Sequence, residues 1–370
     1  MNKIKTGIIG VSAERGWATM AHIPALRVLP DYEVTAISNR NNEEAFKAGA
    51  KHQVSQIFQQ TSDLVSSPDV DLVVVTVKVP HHKELVTAAI NAGKNVFCEW
   101  PLGNGLQETE EIADLAARKN VKGFVGLQSR AIPAISFIKD LIREGYLGEV
   151  LSTTMVGSGI FYGDFVDQAS AWAMDAVNGA GMMHTTFANA ADALCFTLGE
   201  FKELNATAVN RRNKTRVIET GEMVPMDVPD QIIVNGLLEN GAAAAIHYRG
   251  GISKGTNFFW EINGTKGDLL ITADGGHLGV YEPVIKGANR EGEILEVLAV
   301  PPTYFHIDKV VLSGPAHSVA ENYERIASDL NSGTHLSANF HDALIRHRML
   351  AAVETAAVTG SRQTYNYGHE

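Results

Sequence analysis

Gly7-Ile8-Ile9-Gly10-Val11-Ser12-Ala13-Glu14-Arg15-Gly16-Trp17-Ala18 ends a strand-like apolar run and opens a helix. A strand that reaches a glycine bend and feeds a helix start is the geometry of a dinucleotide-binding turn. Gly10 makes the bend there, and backbone N–H groups at the helix start face a pyrophosphate. The spacing departs from the ideal: Ser12 stands at the middle glycine position and Gly16 comes one residue late. Taken alone, the motif also reads as a plain strand-to-helix turn. Its setting decides for dinucleotide binding, with Gly10, Ser12, Gly16 and Trp17 as candidate contacts.

That setting is an alternation of short apolar runs and helical spacings. Lys3–Ile9, Tyr32–Ser38, Asp71–Val77, Asn95–Cys98 and Val121–Leu127 are rich in Val and Ile and predict strands. Lys83–Ala92 and Gln107–Lys119 carry helical spacing between them. Strand and helix in series imply right-handed crossovers and a parallel sheet covered on both faces. The reading is a Rossmann domain over residues 1–128, followed by a helix over Ile132–Glu144 that stops at Gly145.

Residues 129–370 follow a different pattern. Strand candidates at Val150–Val156, Glu203–Val209, Gln231–Leu238, Ala242–Tyr248, Asn257–Ile262 and Asp268–Ile271 recur, mostly without intervening helices. Hairpin signals such as Glu239-Asn240-Gly241 and Asn263-Gly264-Thr265 separate them. The expectation is an α/β domain with a mostly antiparallel sheet, backed by a helix over Met182–Leu198. Asp274–Pro315 reads as loops and short strands. Helices near His317–Leu330 and Phe340–Thr359 close the chain, packing back toward the first domain.

Composition narrows the function classes. The 370 residues suit two domains that each bury a core, and 45% apolar with 20% charged residues reads as globular. The formal net charge is −11 with no basic run, which argues against a direct nucleic-acid face. The two cysteines, Cys98 and Cys195, form no metal or disulfide pattern, so no metal is expected and a reducing, cytoplasmic location is. No apolar run has the length of a membrane span.

The end of the second strand bears on the cofactor. Where an acidic residue would hold the ribose diol of NAD, the chain has Ser38-Asn39-Arg40. A hydroxyl, an amide and a guanidinium suit a 2′-phosphate, so NADP is expected before NAD. A solvated surface charge is the other reading of Arg40.

Gly7 to Gly16, Asp71–Val77, His82, Ala92-Gly93-Lys94-Asn95-Val96, Cys98-Glu99-Trp100-Pro101 and Arg143-Glu144-Gly145-Tyr146-Leu147-Gly148-Glu149-Val150 resemble, in order and spacing, the Gfo/Idh/MocA family of nicotinamide oxidoreductases. The resemblance runs through nearly the whole chain. Within that family it points to the branch of the yeast galactose-pathway repressor, through Gly16-Trp17-Ala18, Leu127-Gln128-Ser129-Arg130, Thr185-Thr186-Phe187 and Asp342-Ala343-Leu344-Ile345-Arg346-His347-Arg348. It implies a Rossmann domain plus an α/β domain whose open sheet forms a homodimer or tetramer.

Carrying the family's proton-handling residues onto this chain gives three losses. The lysine of Glu-Lys-Pro is Trp100, the aspartate of the second signature is Thr185, and the histidine is Asn189, while Asp192 remains. A positioned acid or base contributes about 10² to 10⁴ in rate, so oxidation of a sugar alcohol by the family's usual route is expected to be impaired. The candidate catalytic set is therefore Lys78, Trp100, Thr185 and Asn189. Thr185 and Asn189 lie four apart, on one face of a helix. Trp100 either stacks on a flat ring or fills the space of the lysine. Lys78 either donates a proton or touches phosphate or ribose.

Ser38, Asn39, Arg40, Val77, His82, Glu99, Trp100 and Gln128 complete the expected cofactor site, although His82 and Glu99 also read as braces of their turns. Tyr162, Trp172, Tyr248 and Arg249 are further polar candidates that read equally as packing or dimer surface. Two functions follow. One is an NAD(P)-dependent oxidoreductase acting on a small-molecule carbonyl, imine or conjugated double bond. The other is a non-catalytic, dinucleotide-sensing regulator.

Overall fold

The structure, a computed structural model, describes residues 3–289, 292 and 294–368. The chain forms two units, Met1–Ala131 with His306–Leu344, and Ile132–Phe305 with Ile345–Glu370. The segment after residue 128 is thus discontinuous: it leaves the first unit at residue 131, returns at His306 and leaves again inside the last helix.

The first unit is built on a parallel sheet of Ile4–Ile9, Tyr32–Ser38, Gln56–Phe58, Leu72–Val75, Asn95–Cys98 and Gly123–Val125. In space the strands run third, second, first, fourth, fifth, sixth. The order reverses between the first and fourth, and a crevice opens beyond the carboxyl ends of the strands at such a point. Leu72–Val75 is buried at every residue, as a central parallel strand requires. It is shorter than the sequence run because Asp71 turns outward and its carboxylate accepts the Lys5 N–H at 2.9 Å.

The sequence pattern omits the strand Gln56–Phe58 and the helices Asn42–His52 and Thr61–Ser66. That strand is three residues long and the second helix six, too short to show a period. The helix Gly314–Ser332 belongs to this unit. Its Val319, Ala320, Tyr323, Ile326 and Ala327 share one buried cluster with Ile4, Ile8, Leu26, Tyr32 and Phe97. Each large apolar side chain so buried contributes about 1.5–3 kcal/mol.

The second unit centres on an eight-stranded sheet. From one edge to the other its strands are Glu296–Val297, Val284–Asn289, Gly267–Ala273, Phe258–Gly264, Val150–Ser158, Ala243–Arg249, Gln231–Leu238 and Phe201–Val209. Every pairing is antiparallel except Val150–Ser158 with Ala243–Arg249. Alternation assigns the faces: Met155, Ile246, Val234, Trp260 and Ile271 are buried, whereas Ile233, Leu237 and Val284 on the opposite face are 41%, 40% and 47% exposed. Three further short strands, Phe165–Val166, Lys214–Val217 and Met223–Pro225, form a separate small sheet.

The helix expected over Met182–Leu198 is two pieces. A π-helical turn, Met183–Phe187, runs into an α-helix, Ala188–Leu198. π-helical turns occur often at functional sites because the wider turn re-aims side chains. No helix among the described residues is long and apolar enough to cross a membrane.

Candidate functional site

Gly10 has φ 102°, and a Cβ there would stand 2.8 Å from Val77 Cγ1, so backbone conformation and space both demand glycine. Its N–H donates to the Ser38 carbonyl at 2.8 Å, tying the bend to the end of the second strand. Gly16, at φ 90°, has open space where a Cβ would point. The Trp17 indole N–H is buried with no acceptor, a donor beside a turn built to receive an anion. The turn therefore fits a dinucleotide pyrophosphate.

The three residues after the second strand differ in what they can offer. Ser38 is buried. Asn39 donates through Nδ2 to the Val11 carbonyl at 2.7 Å and accepts the Asn41 N–H on Oδ1 at 2.9 Å, so its amide braces the bend. Arg40 is exposed. Ser12 donates its hydroxyl to Glu44 Oε1 at 2.6 Å, and the Ala13 N–H donates to the same oxygen at 2.8 Å. Ser12 foremost, with Ala13, holds the Glu44 carboxyl below the usual range. Glu44 is absent from the sequence reading. Its spacing from Asn41, three residues on from a cap, marks an ordinary capping box and hides its contact with the glycine turn.

Lys78 is exposed at the head of a short 3₁₀ turn, Val79–His81. His82 is buried, with Nδ1 2.7 Å from the Pro101 carbonyl oxygen and Nε2 2.9 Å from that of Val77. In either tautomer the ring clips one strand end, and burial lowers its pKa. One nitrogen is thus committed to the backbone, and Nδ1 also lies 3.4 Å from Cys98 Sγ. Trp100 is 8% exposed and joined to Pro101 by a cis peptide bond.

Glu99 accepts from Gln128 Nε2 at 2.9 Å on both oxygens and lies 2.9 Å from His22 Nε2. His22 Nδ1 is 2.8 Å from the Tyr323 hydroxyl. With His22 Nε2 donating to Glu99 and Nδ1 accepting from the Tyr323 hydroxyl, each of these contacts has a donor and an acceptor. Glu99 and Gln128 are so brought together, and each is spent on the other.

Thr185 and Asn189 come together in the second unit. Thr185 lies in the π-helical turn and Asn189 is the second residue of the α-helix that follows, its Nδ2 donating to the Thr185 carbonyl at 3.1 Å. That bond fixes the amide orientation and turns Oδ1 away, where it is buried with no partner on a side chain only 4% exposed. Tyr162 holds the other side. Its hydroxyl lies 2.9 Å from the Ala180 carbonyl oxygen and 2.9 Å from Thr185 Oγ1. Since Ala180 O only accepts, Tyr162 donates to it, and Thr185 gives its own proton to Tyr162 or to Gly181 O at 3.1 Å.

Burial pushes the Tyr162 hydroxyl up to about 12, so its proton stays in place at neutral pH. Its backbone is held at φ 65°, a left-handed conformation that costs roughly 1–2 kcal/mol for a residue with a side chain. The cluster therefore offers acceptors, Asn189 Oδ1 and the Thr185 lone pairs, beside the second Asn189 N–H, and no group that gives up a proton at neutral pH. Tyr248, by contrast, is fully buried and donates to the Gly276 carbonyl at 2.8 Å, a packing role.

Residues 4–127 match the family described as oxidoreductase family, NAD-binding Rossmann fold, and residues 133–273 match the Gal80p C-terminal domain. The dehydrogenase aclE of Aspergillus oryzae is 29% identical, with 99% of each chain covered. The galactose/lactose metabolism regulatory protein GAL80 of Saccharomyces cerevisiae is 30% identical, with 76% of this chain and 69% of that protein covered. A crystal structure of a super-repressor mutant of Gal80p from Saccharomyces cerevisiae is similar at a TM-score of 0.90 and 26% identity, covering 100% of this chain and 99% of that one.

Proposed function

The chain belongs to the Gfo/Idh/MocA oxidoreductase family with its NAD-binding Rossmann fold, and from that premise we propose that it is a nicotinamide-dependent reductase of a small imine. The observation that carries this reading is the unpartnered, buried Asn189 Oδ1 beside Thr185. A buried acceptor left without a donor costs about 1–3 kcal/mol, and a ligand N–H or O–H would recover it.

A reduced nicotinamide, when bound, would supply a hydride. The chain's own residues then set which electrophile can accept it. A ketone develops an alkoxide that needs a proton, and neither Asn189 nor Thr185 has one to give. A protonated imine already carries its proton. Its carbon would take the hydride, the C=N π pair would become the nitrogen lone pair, and the N–H would have Asn189 Oδ1 as its acceptor. Tyr162 holds Thr185 in register. The net charge of −11 favours the approach of a cation.

A second reading rests on the 30% identity to a regulatory protein. In it the bound dinucleotide biases a partner surface and no chemistry follows. A panel of cyclic imines, ketones and enones with NADH and NADPH separates the two. The reductase reading predicts cofactor oxidation with imines first, whereas dinucleotide binding without turnover across the panel leaves the regulator. We also propose that the exposed sheet face around Ile233, Leu237 and Val284 pairs with a second copy in a reducing, cytoplasmic setting. A monomer in sedimentation at micromolar concentration would remove that proposal.

A further inference from the structure

The contact between Glu44 and the glycine turn has no part in hydride transfer, yet it fixes an anionic group against that turn. Asn41 caps the helix Asn42–His52 by accepting the Glu44 N–H on Oδ1 at 3.2 Å. In a capping box the glutamate three residues on would return to the cap's own N–H. Here the Asn41 N–H is taken by Asn39 Oδ1 at 2.9 Å, and the Glu44 carboxylate reaches the other way, to Ser12 Oγ at 2.6 Å and Ala13 N at 2.8 Å. Both of those bonds fall on Oε1. They orient the group and leave Oε2 as an acceptor beside Ser12.

In a dinucleotide site of this kind the glycine turn receives the pyrophosphate, and a carboxylate at the end of the second strand receives the adenosine ribose hydroxyls. The strand end here is Ser38-Asn39-Arg40, without a carboxylate. We propose that Glu44, delivered from the following helix, takes that role: its carboxylate receives the adenosine ribose hydroxyls of NAD and excludes the 2′-phosphate of NADP. The reading rests on dinucleotide binding as proposed above.

It reverses the expectation drawn from Arg40. Arg40 is exposed with its side chain at the surface, whereas Glu44 is anchored to the turn itself by two hydrogen bonds. An oriented carboxylate is a strong acceptor for a diol and offers no donor to a phosphate.

The test is the dissociation constants of NAD and NADP, measured by calorimetry or quenching of tryptophan fluorescence, on the wild type, Glu44→Gln, Ser12→Ala and Arg40→Ala. The proposal expects the wild type to favour NAD. Glu44→Gln should weaken NAD by about 10-fold, the loss of a charge-assisted hydrogen bond, and strengthen NADP. Ser12→Ala, which leaves the carboxylate in place but loosens its aim, should narrow the preference by a smaller factor and serves if Glu44→Gln does not fold. Arg40→Ala should leave the preference for NAD intact.

Two results would overturn the proposal. They are a wild type that favours NADP, and a Glu44→Gln variant with an unchanged ratio of the two constants, which, with both bound more tightly, would make Glu44 only an occupant of the phosphate site. A wild type that binds neither dinucleotide would instead overturn the function proposed above together with this one.

Discussion

Two buried polar clusters, one in each unit, differ in how completely they are satisfied. In the first, Gln128, Glu99, His22 and Tyr323 form a run of contacts between 2.8 and 2.9 Å with a partner at every step. In the second, Tyr162, Thr185 and Asn189 form a similar run between 2.9 and 3.1 Å that stops at a buried oxygen with no partner. A closed network stabilises a fold, and an open one keeps a valence for something outside the chain. Conspicuous sequence positions are therefore poor guides by themselves. Glu99 stands at the heart of a family motif and is bound up internally, whereas Asn189 looks like a lost histidine and carries the open group.

The comparison is most directly broken at the closed cluster. His22→Ala would leave the Glu99 carboxylate without its second partner and the Tyr323 hydroxyl without an acceptor, in a site where His22 has no exposed surface. The expected loss is about 2–5 kcal/mol, from a charge-assisted hydrogen bond, an unsatisfied buried hydroxyl and the space the ring leaves, read as the drop in urea unfolding free energy. A loss below roughly 1 kcal/mol would mean that the closed network holds nothing together.

A buried histidine in the second unit sharpens the contrast through pH. Burial first, and the neighbouring His184 second, push His347 down to about 3. Its folded pKa lies below its unfolded one, so between pH 6.5 and about 3 the unfolded chain binds a proton that the folded chain refuses. Stability should fall steadily as pH drops through that window and be flat in this contribution above it. His347→Gln should flatten the acid limb of the melting-temperature profile. An unchanged slope would show that another group dominates.

The smallest stability effect is expected at the open cluster. Asn189→Leu removes an unpaired oxygen along with one 3.1 Å hydrogen bond, so the two terms oppose and the net change should stay within about 1 kcal/mol. A large destabilisation would place Asn189 with the closed network and remove its functional reading.

Much of this architecture is legible in the sequence where periodicity is strong. Tyr32–Ser38, Asn95–Cys98, Gln231–Leu238 and Phe340–Thr359 begin and end where the pattern places them. Lys214–Val217 and Met223–Pro225 escape notice because four- and three-residue strands carry almost no periodic signal, although Lys214–Val217 alternates exposed and buried residues. The parallel pairing of Val150–Ser158 with Ala243–Arg249 is not legible either, since hairpin signals report only neighbours in sequence.

At the site, the spacing of Thr185 and Asn189 predicts a shared face, but not the π-helical turn or which amide atom is left over. Those depend on Gly181, Ala180 and Tyr162, whose contacts are set by the tertiary fold. Glu44 was hidden for a different reason. A local rule accounts for its position, and only the competing bond from Asn41 to Asn39 turns its carboxylate onto the glycine turn.

The central claim is that Asn189 Oδ1 is kept open for a donor on the substrate. Steady-state oxidation of the reduced cofactor, measured on wild type and Asn189→Leu with the best imine of the panel, tests it most directly. The account predicts turnover by the wild type and a fall in kcat/KM of about 10-fold or more in Asn189→Leu, with dinucleotide affinity and melting temperature preserved. Equal kcat/KM in the two proteins, or a wild type that turns over ketones and enones but no imine, would contradict it.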